Sequence, residues 1–416
     1  MRLKIGIWCD YGVTLQPSEG IGVFVANLVR GLVQLPEVEE CLLISKRQEE
    51  HLLAELNDLG QGKVRIAGNP RVPWAIRKSL KQLRRTSRAH QFDGRQSTPF
   101  SRGLAYAQNW MERYTNLPQR RLIDSVDVWL LPYVGLDQFF SRPTVVVVHD
   151  LVTYHFPQLT TPKRLGRFKQ LVRDVTDQAT LVACMSNFIL ENDLLKTLQL
   201  PPEKTRMVRV AIPEDIGHDA SDAPIPASLT QARYLLYPAA FREYKNHSYL
   251  VDALTCLHER NATQWHVVFT GITDCPEALQ QKIAESPASD RIHVLGRVSR
   301  AELASLYRHA FATVVPSLYE QGSFPLMEAL HFGCPILSSD IPSLREQLQQ
   351  LGDAALFFDP HRPESLLDQL QALEANLEWV LDGQMAGFQS MRRRTWRDAA
   401  QDWLQVLEEA KSIATP

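Results

Sequence analysis

The sequence predicts an α/β protein made of two parallel-sheet domains, on three observations. Short apolar, β-branched runs alternate with helical patterns from Leu3 to Val210, which is how a parallel sheet covered by helices on both faces reads. The pattern stops at a polar stretch and resumes at Tyr234. At 416 residues the chain also exceeds what one hydrophobic core usually serves.

In the first half the strands are KIGIW, CLLIS, VDVWLL, TVVVV, TLVAC and TRMVRV. An amphipathic helix is expected from near Val23, with Gly20 and Gly22 in the loop before it. Glu214 to Thr230 is polar, rich in Ala, Pro and Ser and without periodicity, which makes it a linker. The second half offers YLLYP, WHVVFTG, IHVLG, ATVVP, CPILSS and ALFFD as strands. Trp396, Ala399, Trp403, Val406 and Leu407 then recur at helical spacing in a long amphipathic C-terminal helix. The expected division is residues 1–215, a linker at 216–232, a second domain at 233–390 and the last helix at 391–416.

An apolar share of 44% with 22% charged residues and a formal net charge of −2 excludes a disordered or fibrous chain. The charge is unevenly spread. Arg65 to Arg121 is crowded with cations, including Arg71, Lys78, Arg84, Arg85 and Arg113, against only Asp93 and Glu112. Trp74, Ile76, Leu80 and Leu83 lie among them, which suits an interfacial helix on an anionic membrane surface. A solvated face or an acceptor site ranks next, and nucleic acid is not expected as a partner. Six scattered cysteines without a C-x-x-C pair read as buried free thiols of a reducing compartment. With no signal-like stretch at MRLKIGIWCD, a cytoplasmic protein is expected, peripheral on the inner membrane face if the basic segment binds lipid. No D-x-D motif or zinc spacing appears, so no metal and no cofactor is expected.

The chemistry concentrates in Val315 to Glu346, VPSLYEQGSFPLMEALHFGCPILSSDIPSLRE. Glu320 and Glu328 stand eight positions apart around a Gly-Ser-Phe-Pro turn. A strand over Phe311 to Pro316 and a helix over Pro325 to Phe332 place Glu320, Gly322, Ser323 and Phe324 on the connection, and Glu328 in the first helical turn. Unpaired N–H groups and the positive dipole end of a helix suit a phosphate, and glycine lets the backbone approach it closely. Two carboxylates beside a phosphate cradle are suited to the hydroxyls of a sugar nucleotide. The plainer alternative is a solvated loop glutamate and a carboxylate favoured by the helix dipole.

This segment resembles the E-x7-E region of the family-four retaining glycosyltransferases, the glycosyl transferases group 1, which have the GT-B fold. The likeness continues in IHVLGRVSRAELASLYRHA, LLYPAAFREYKNHSYLVDAL, GIWCDYGVTLQPSEGIGVFVANLVRGL and TVVVVHDLVTYHFP. It implies two Rossmann-like domains facing across a cleft, an acceptor domain followed by a nucleotide-sugar donor domain, with the last helix crossing back to the N-terminal domain.

Lys245 follows an apolar strand, where a cation can neutralise a departing diphosphate; by resemblance it is the donor-phosphate lysine. Arg242 lies three positions earlier, where the family's arginine lies about five earlier, so it is either a helper or an exposed cation. His149 ends the TVVVV strand, where ligands of open α/β sheets gather, and the resemblance brings it to the donor sugar. Asp150 either caps the following segment or faces the acceptor. Gly20 and Gly22 form a second, weaker phosphate cradle, and the neighbouring Glu19 is a candidate acceptor contact. By resemblance, Gly296, Arg297 and Val298 would contact the base through their backbone, and Gly271 would line the same cleft. The loop reads EQGSFP where the family shows EGFGLP, so its conformation is open to change.

The reading is a metal-independent hexosyltransferase, retaining by the resemblance alone, that carries sugar from a nucleotide diphosphate of the UDP-glucose or GDP-mannose type, UDP being favoured, to a hydroxyl of a saccharide or lipid-linked acceptor in polysaccharide or glycoconjugate synthesis. The rival is a catalytically silent scaffold of the same fold that binds nucleotide or partner proteins.

Overall fold

Strands are numbered β1 to β13 in the computed structural model, which describes residues 2–9, 20–45, 62–68, 117–134, 140–213, 216, 223–261 and 264–414. The first half supplies β1 (Leu3–Trp8), α1 (Gly20–Val33), β2 (Val38–Ser45), β3 (Val64–Gly68), α2 (Leu117–Asp124), β4 (Val128–Leu131), β5 (Thr144–Val147), α3 (Val152–His155), α4 (Pro162–Gln178), β6 (Leu181–Cys184), a π-helical segment at Ile189–Thr197 and β7 (Thr205–Met207). The second half supplies β8 (Arg233–Pro238), α5 (His247–Glu259), β9 (Trp265–Thr270), α6 (Glu277–Glu285), β10 (Ile292–Gly296), α7 (Arg300–His309), β11 (Ala312–Val315), α8 (Phe324–His331), β12 (Ile336–Ser339), α9 (Pro342–Gln347), β13 (Leu356–Phe358), α10 (Pro363–Ala375), α11 (Leu377–Arg392) and α12 (Trp396–Ala414).

The strands form two sheets, ordered β3-β2-β1-β4-β5-β6-β7 and β10-β9-β8-β11-β12-β13. In the second, every adjacent pair is parallel. Each sheet starts in the middle, builds outwards on one side, then crosses over and builds on the other, the doubly wound order of Rossmann-like domains. The chain falls into two compact units, Met1–Val147 with Asp174–Val182 and Ala400–Pro416, and Val148–Arg173 with Ala183–Ala399.

In the first unit Trp8 meets Trp129 edge to face at 5.4 Å, and Gly6 on β1 leaves room for that indole, because a Cβ there would lie 2.3 Å from a Trp129 ring carbon. The end of α12 packs on this unit as expected of a returning helix. Trp403 stands edge to face with Phe24 of α1 at 5.4 Å, and Lys411 pairs with Asp127 at 3.1 Å. In the second unit the apolar strands β8, β9 and β11 are buried with Leu250, Leu254, Leu326, Leu330 and Leu367 from the covering helices. Buried Gln384 of α11 acts as a backbone clamp, accepting from the Ile336 N–H and donating to the Ile336 and Ala354 carbonyls.

Two local expectations need correction. Strand β3 is absent from the sequence reading; it pairs parallel with β2, and its Arg65, assigned to the basic segment, pairs with Glu40. Helix α1 begins at Gly20, so Gly20 and Gly22 lie inside its first turn and not in a loop before it. All six cysteines are free thiols, and burial pushes Cys41, Cys184 and Cys334 up to about 12. Among the described residues no helix is long and apolar enough to cross a membrane.

Candidate functional site

The second sheet changes direction between β8 and β11, and a doubly wound sheet opens a ligand crevice beyond the carboxyl ends of the strands at such a point. Lys245 follows β8 and Glu320 follows β11, so the two charges predicted from sequence converge there. The Lys245 Nζ donates to Glu320 Oε1 at 2.5 Å, with 19% and 7% of the two side chains exposed. Burial works against the Lys245 ammonium, but the Glu320 carboxylate outweighs it and holds the lysine above its ordinary range. Lys245 is therefore a fixed positive charge in a largely desolvated place.

The surrounding hydrogen bonds explain the precision of that placement. Asn246 adopts the left-handed conformation that asparagine tolerates, at φ 58°, and ends the one-turn helix Glu243–Lys245. Its amide donates to the carbonyls of Pro316 at 3.1 Å and Pro360 at 2.9 Å. Tyr237 donates to the Lys245 carbonyl at 3.0 Å. Ser317 donates to Glu320 Oε1 at 2.7 Å, and buried Ser339 donates to the Ser317 carbonyl at 2.7 Å. Among the described residues both contacts to the Glu320 carboxylate fall on Oε1, which leaves Oε2 for a hydroxyl.

Helix α8 starts at Phe324 with Pro325 second, and it has no acidic residue in its first turn. Glu328 thus lies in the second turn, a correction to its expected place at the dipole end. Its Oε2 accepts from Tyr307 of α7 at 2.8 Å. Burial raises the Glu328 carboxyl above the usual glutamate range, and the Tyr307 hydrogen bond and Arg300 only partly oppose it. Tyr307 is buried and stacked on Phe332 at 5.6 Å.

The loop before α8 is held in an unexpected way. Gln347 accepts from the Ser323 N–H at 2.7 Å and donates to the Ser323 carbonyl at 3.0 Å. The Ser323 N–H, one of the groups assigned to a phosphate, is thus already engaged. Gly322 and Phe324 are exposed. A Cβ on Gly322 would make only an ordinary contact, 3.6 Å from Gln347, so space does not require glycine there.

His149 and Asp150 are half-buried in the short segment between β5 and α3. Asp150 Oδ1 accepts from the Val152 N–H at 3.0 Å, the cap of the following segment. Burial raises the Asp150 carboxyl; the Val152 N–H opposes this, and the Asp193 and Glu320 charges add to it. Arg242 is exposed at the start of the Lys245 turn.

Gly271 and Gly296 close β9 and β10 and are joined by a 2.9 Å bond from the Gly271 N–H to the Gly296 carbonyl. Gly296 needs its glycine for φ 64°, and Gly271 for close packing, since a Cβ there would lie 2.5 Å from the Ala239 carbonyl oxygen. Arg297 is exposed and Val298 half-buried beside them. Glu19 and most of the basic segment, with Trp74, Ile76, Leu80 and Leu83, lie outside the described residues.

Tyr307, Gln347, Asn246 and Ser317 were missed from sequence. Tyr307, Gln347 and Asn246 act through partners distant in the chain, and no local pattern marks a tyrosine or glutamine for that; Ser317 bonds Glu320 only three residues on. Among the described residues no group of three or more His, Cys, Asp or Glu side chains is gathered to hold a metal ion.

Residues 222–379 match the glycosyl transferases group 1 family. The chain is 23% identical over 261 residues to the O-antigen chain mannosyltransferase B of Escherichia coli, covering 62% of this chain and 63% of the relative. It is 25% identical over 234 residues to the O-antigen chain mannosyltransferase RfbU of Salmonella typhimurium, covering 56% and 61%. These alignments span less than two thirds of the relatives' own length. Among solved structures, HepE of Anabaena in complex with UDP and glucose superposes with a TM-score of 0.63 at 13% identity, over 98% of this chain and 100% of that one. Sucrose-phosphate synthase of Thermosynechococcus elongatus gives 0.63 at 16% identity, over 99% and 100%. Two doubly wound parallel sheets and the structural neighbours give the chain the GT-B fold, and its residues 222–379 match the glycosyl transferases group 1 family.

Proposed function

We propose that this protein is a retaining glycosyltransferase that moves a hexose from a nucleotide diphosphate to a hydroxyl of a saccharide or lipid-linked acceptor. The observation that carries the reading is the buried Lys245–Glu320 pair at the direction change of the second sheet, with Glu328 eight residues beyond. A departing nucleoside diphosphate needs positive charge at its phosphates, and a desolvated ammonium is worth more there than in water. Lys245 supplies that charge; Arg242 and the N–H groups of Gly322, Ser323 and Phe324 add to it, once Gln347 yields the Ser323 donor. Glu328 accepts from ribose hydroxyls, and Glu320, with His149, holds the donor sugar. Gly271, Gly296, Arg297 and Val298 border the base, and Gly20 and Gly22, in the first turn of α1, are the second and weaker phosphate cradle. The departing phosphate oxygen takes the acceptor proton as the new glycosidic bond forms on the same face, so no protein nucleophile is needed.

The relatives by sequence are named as mannosyltransferases of O-antigen chains. A GDP-mannose type donor therefore ranks ahead of UDP-glucose for this chain, and a lipid-linked or growing polysaccharide ranks ahead of a small sugar as acceptor. Contact of the basic segment with an anionic membrane belongs to the same reading. The test is nucleotide release from GDP-mannose and UDP-glucose with added acceptor glycans, the product anomer being read by NMR. Release of one nucleotide with an α-linked product supports the proposal; release of neither with any acceptor, by a folded protein, counts against it.

A further inference from the structure

One buried carboxylate ties together the two loops that carry the candidate groups. Asp193 is 0% exposed and sits in the nine-residue π-helical segment Ile189–Thr197, a rare backbone form that recurs at functional sites. Its Oδ2 accepts from the Leu151 N–H at 3.0 Å and from the Tyr319 hydroxyl at 2.5 Å. Its Oδ1 accepts from Asn192 at 2.9 Å and lies 2.8 Å from His155 Nε2. An ionised carboxylate offers about four acceptor sites, so four donors satisfy it, and burying it without them would be costly. The Leu151 N–H also reaches the Tyr319 oxygen at 3.2 Å, closing a three-membered network.

Leu151 follows His149 and Asp150, and Tyr319 immediately precedes Glu320. The carboxylate therefore fixes the backbone one residue from Asp150 and the side chain one residue from Glu320. Tyr319 is further held by the rings of His155 at 5.0 Å, Phe188 at 5.8 Å and Phe156 at 6.4 Å. Burial and the neighbouring Asp193 charge raise its phenol, so it remains a donor. A second carboxylate reinforces the arrangement: Glu346 accepts from the N–H groups of Asn187 at 2.8 Å and Phe188 at 2.9 Å, just ahead of the π-helical segment.

We propose that Asp193, acting through Tyr319 and Leu151, is a positioning residue that sets the mutual geometry of Glu320 and the His149–Asp150 loop. The proposal rests on the glycosyltransferase reading for its chemistry but not for its geometry. Tyr319→Phe removes one oxygen and keeps the ring packing. Asp193→Asn keeps the volume, and its carbonyl oxygen still accepts from Leu151 and Tyr319 while the amide turns to His155.

Two readouts test it. Amide hydrogen exchange of residues 316–323 without any donor should be faster in Tyr319→Phe than in wild type. With donor and acceptor, kcat should fall about tenfold or more, as a misplacement near 1 Å commonly does, with the nucleotide Kd held within about twofold. The Tyr319→Phe, Asp193→Asn double variant should lose no more than the worse single variant, as groups acting as one unit do. A purely packing role predicts a lower Tm with wild-type kcat at low temperature, and that result overturns the proposal. If the wild-type protein turns over no donor, the functional reading fails; exchange alone then decides the geometry, with unchanged protection overturning it and faster exchange supporting it.

Discussion

Replacing Tyr307 with phenylalanine isolates the question of whether Glu328 is a built nucleotide ligand. The substitution removes only the hydroxyl that donates to Glu328 Oε2 at 2.8 Å and keeps the ring that stacks on Phe332. A hydrogen bond to a charged group is worth about 1.5–3 kcal/mol, so a loss of protein stability near the low end of that range is expected. The consequence for binding is larger in kind. Burial already raises the Glu328 carboxyl above the ordinary value of 4.5, and the Tyr307 hydrogen bond opposes that rise. Without it the carboxyl titrates at still higher pH and is less firmly aimed.

An ionised carboxylate is the stronger acceptor for ribose hydroxyls, so nucleotide affinity is full above the raised Glu328 value and weakens as pH falls through it. Stability runs oppositely. The unfolded chain releases this proton first, so Glu328's contribution declines as pH rises from about 4.5 towards its folded value. Calorimetric titration of wild type and Tyr307→Phe with GDP between pH 5 and 8 reads both effects. We expect roughly tenfold weaker binding, about 1.4 kcal/mol, with the acid loss displaced upwards in pH. A variant that loses Tm but keeps the wild-type affinity and pH profile would refute the reasoning and make Tyr307 a packing residue alone.

Lys245→Ala leaves the Glu320 carboxylate largely buried without its partner, and breaking such a pair costs about 3–5 kcal/mol; urea unfolding should show that loss, with Lys245→Ala, Glu320→Ala recovering part of it. Gln347→Ala removes both bonds to the Ser323 backbone, at roughly 1 kcal/mol each; thermal unfolding should fall accordingly, and diphosphate affinity should change several-fold while affinity for the nucleoside does not. Gly271→Ala drives a Cβ against the Ala239 carbonyl, and overpacking of this kind costs about 1–3 kcal/mol, which a Tm comparison with the mild Gly322→Ala variant would expose.

Much of the second half was legible because its signals are local. Runs such as YLLYP and WHVVFTG are buried strands by composition alone, and β8 and β9 form where they lie. A full capping box between Ser299 and Glu302 starts α7. Glu320 and Glu328 could be singled out because their spacing straddles a strand and a helix. What sequence did not show depends on distant donors. Asp193 sits in an ordinary-looking ILENDLLK stretch, and only the fold brings it Leu151, 42 residues away, and Tyr319, 126 residues away. Strand β3 was missed because VRIAG is short and carries an arginine, whose charge is answered by Glu40 on β2 and not by solvent alone. The engagement of Ser323 by Gln347 could not be foreseen from a loop motif, since the partner lies 24 residues further on.

The most direct test of the account is calorimetric titration of the full chain with GDP and with UDP, repeated on Glu328→Ala. The account predicts selective binding of one nucleotide, GDP on the mannosyl reading, weakened at least about tenfold by the substitution. Binding of neither nucleotide by the folded wild-type protein, or equal affinity in Glu328→Ala, would contradict it.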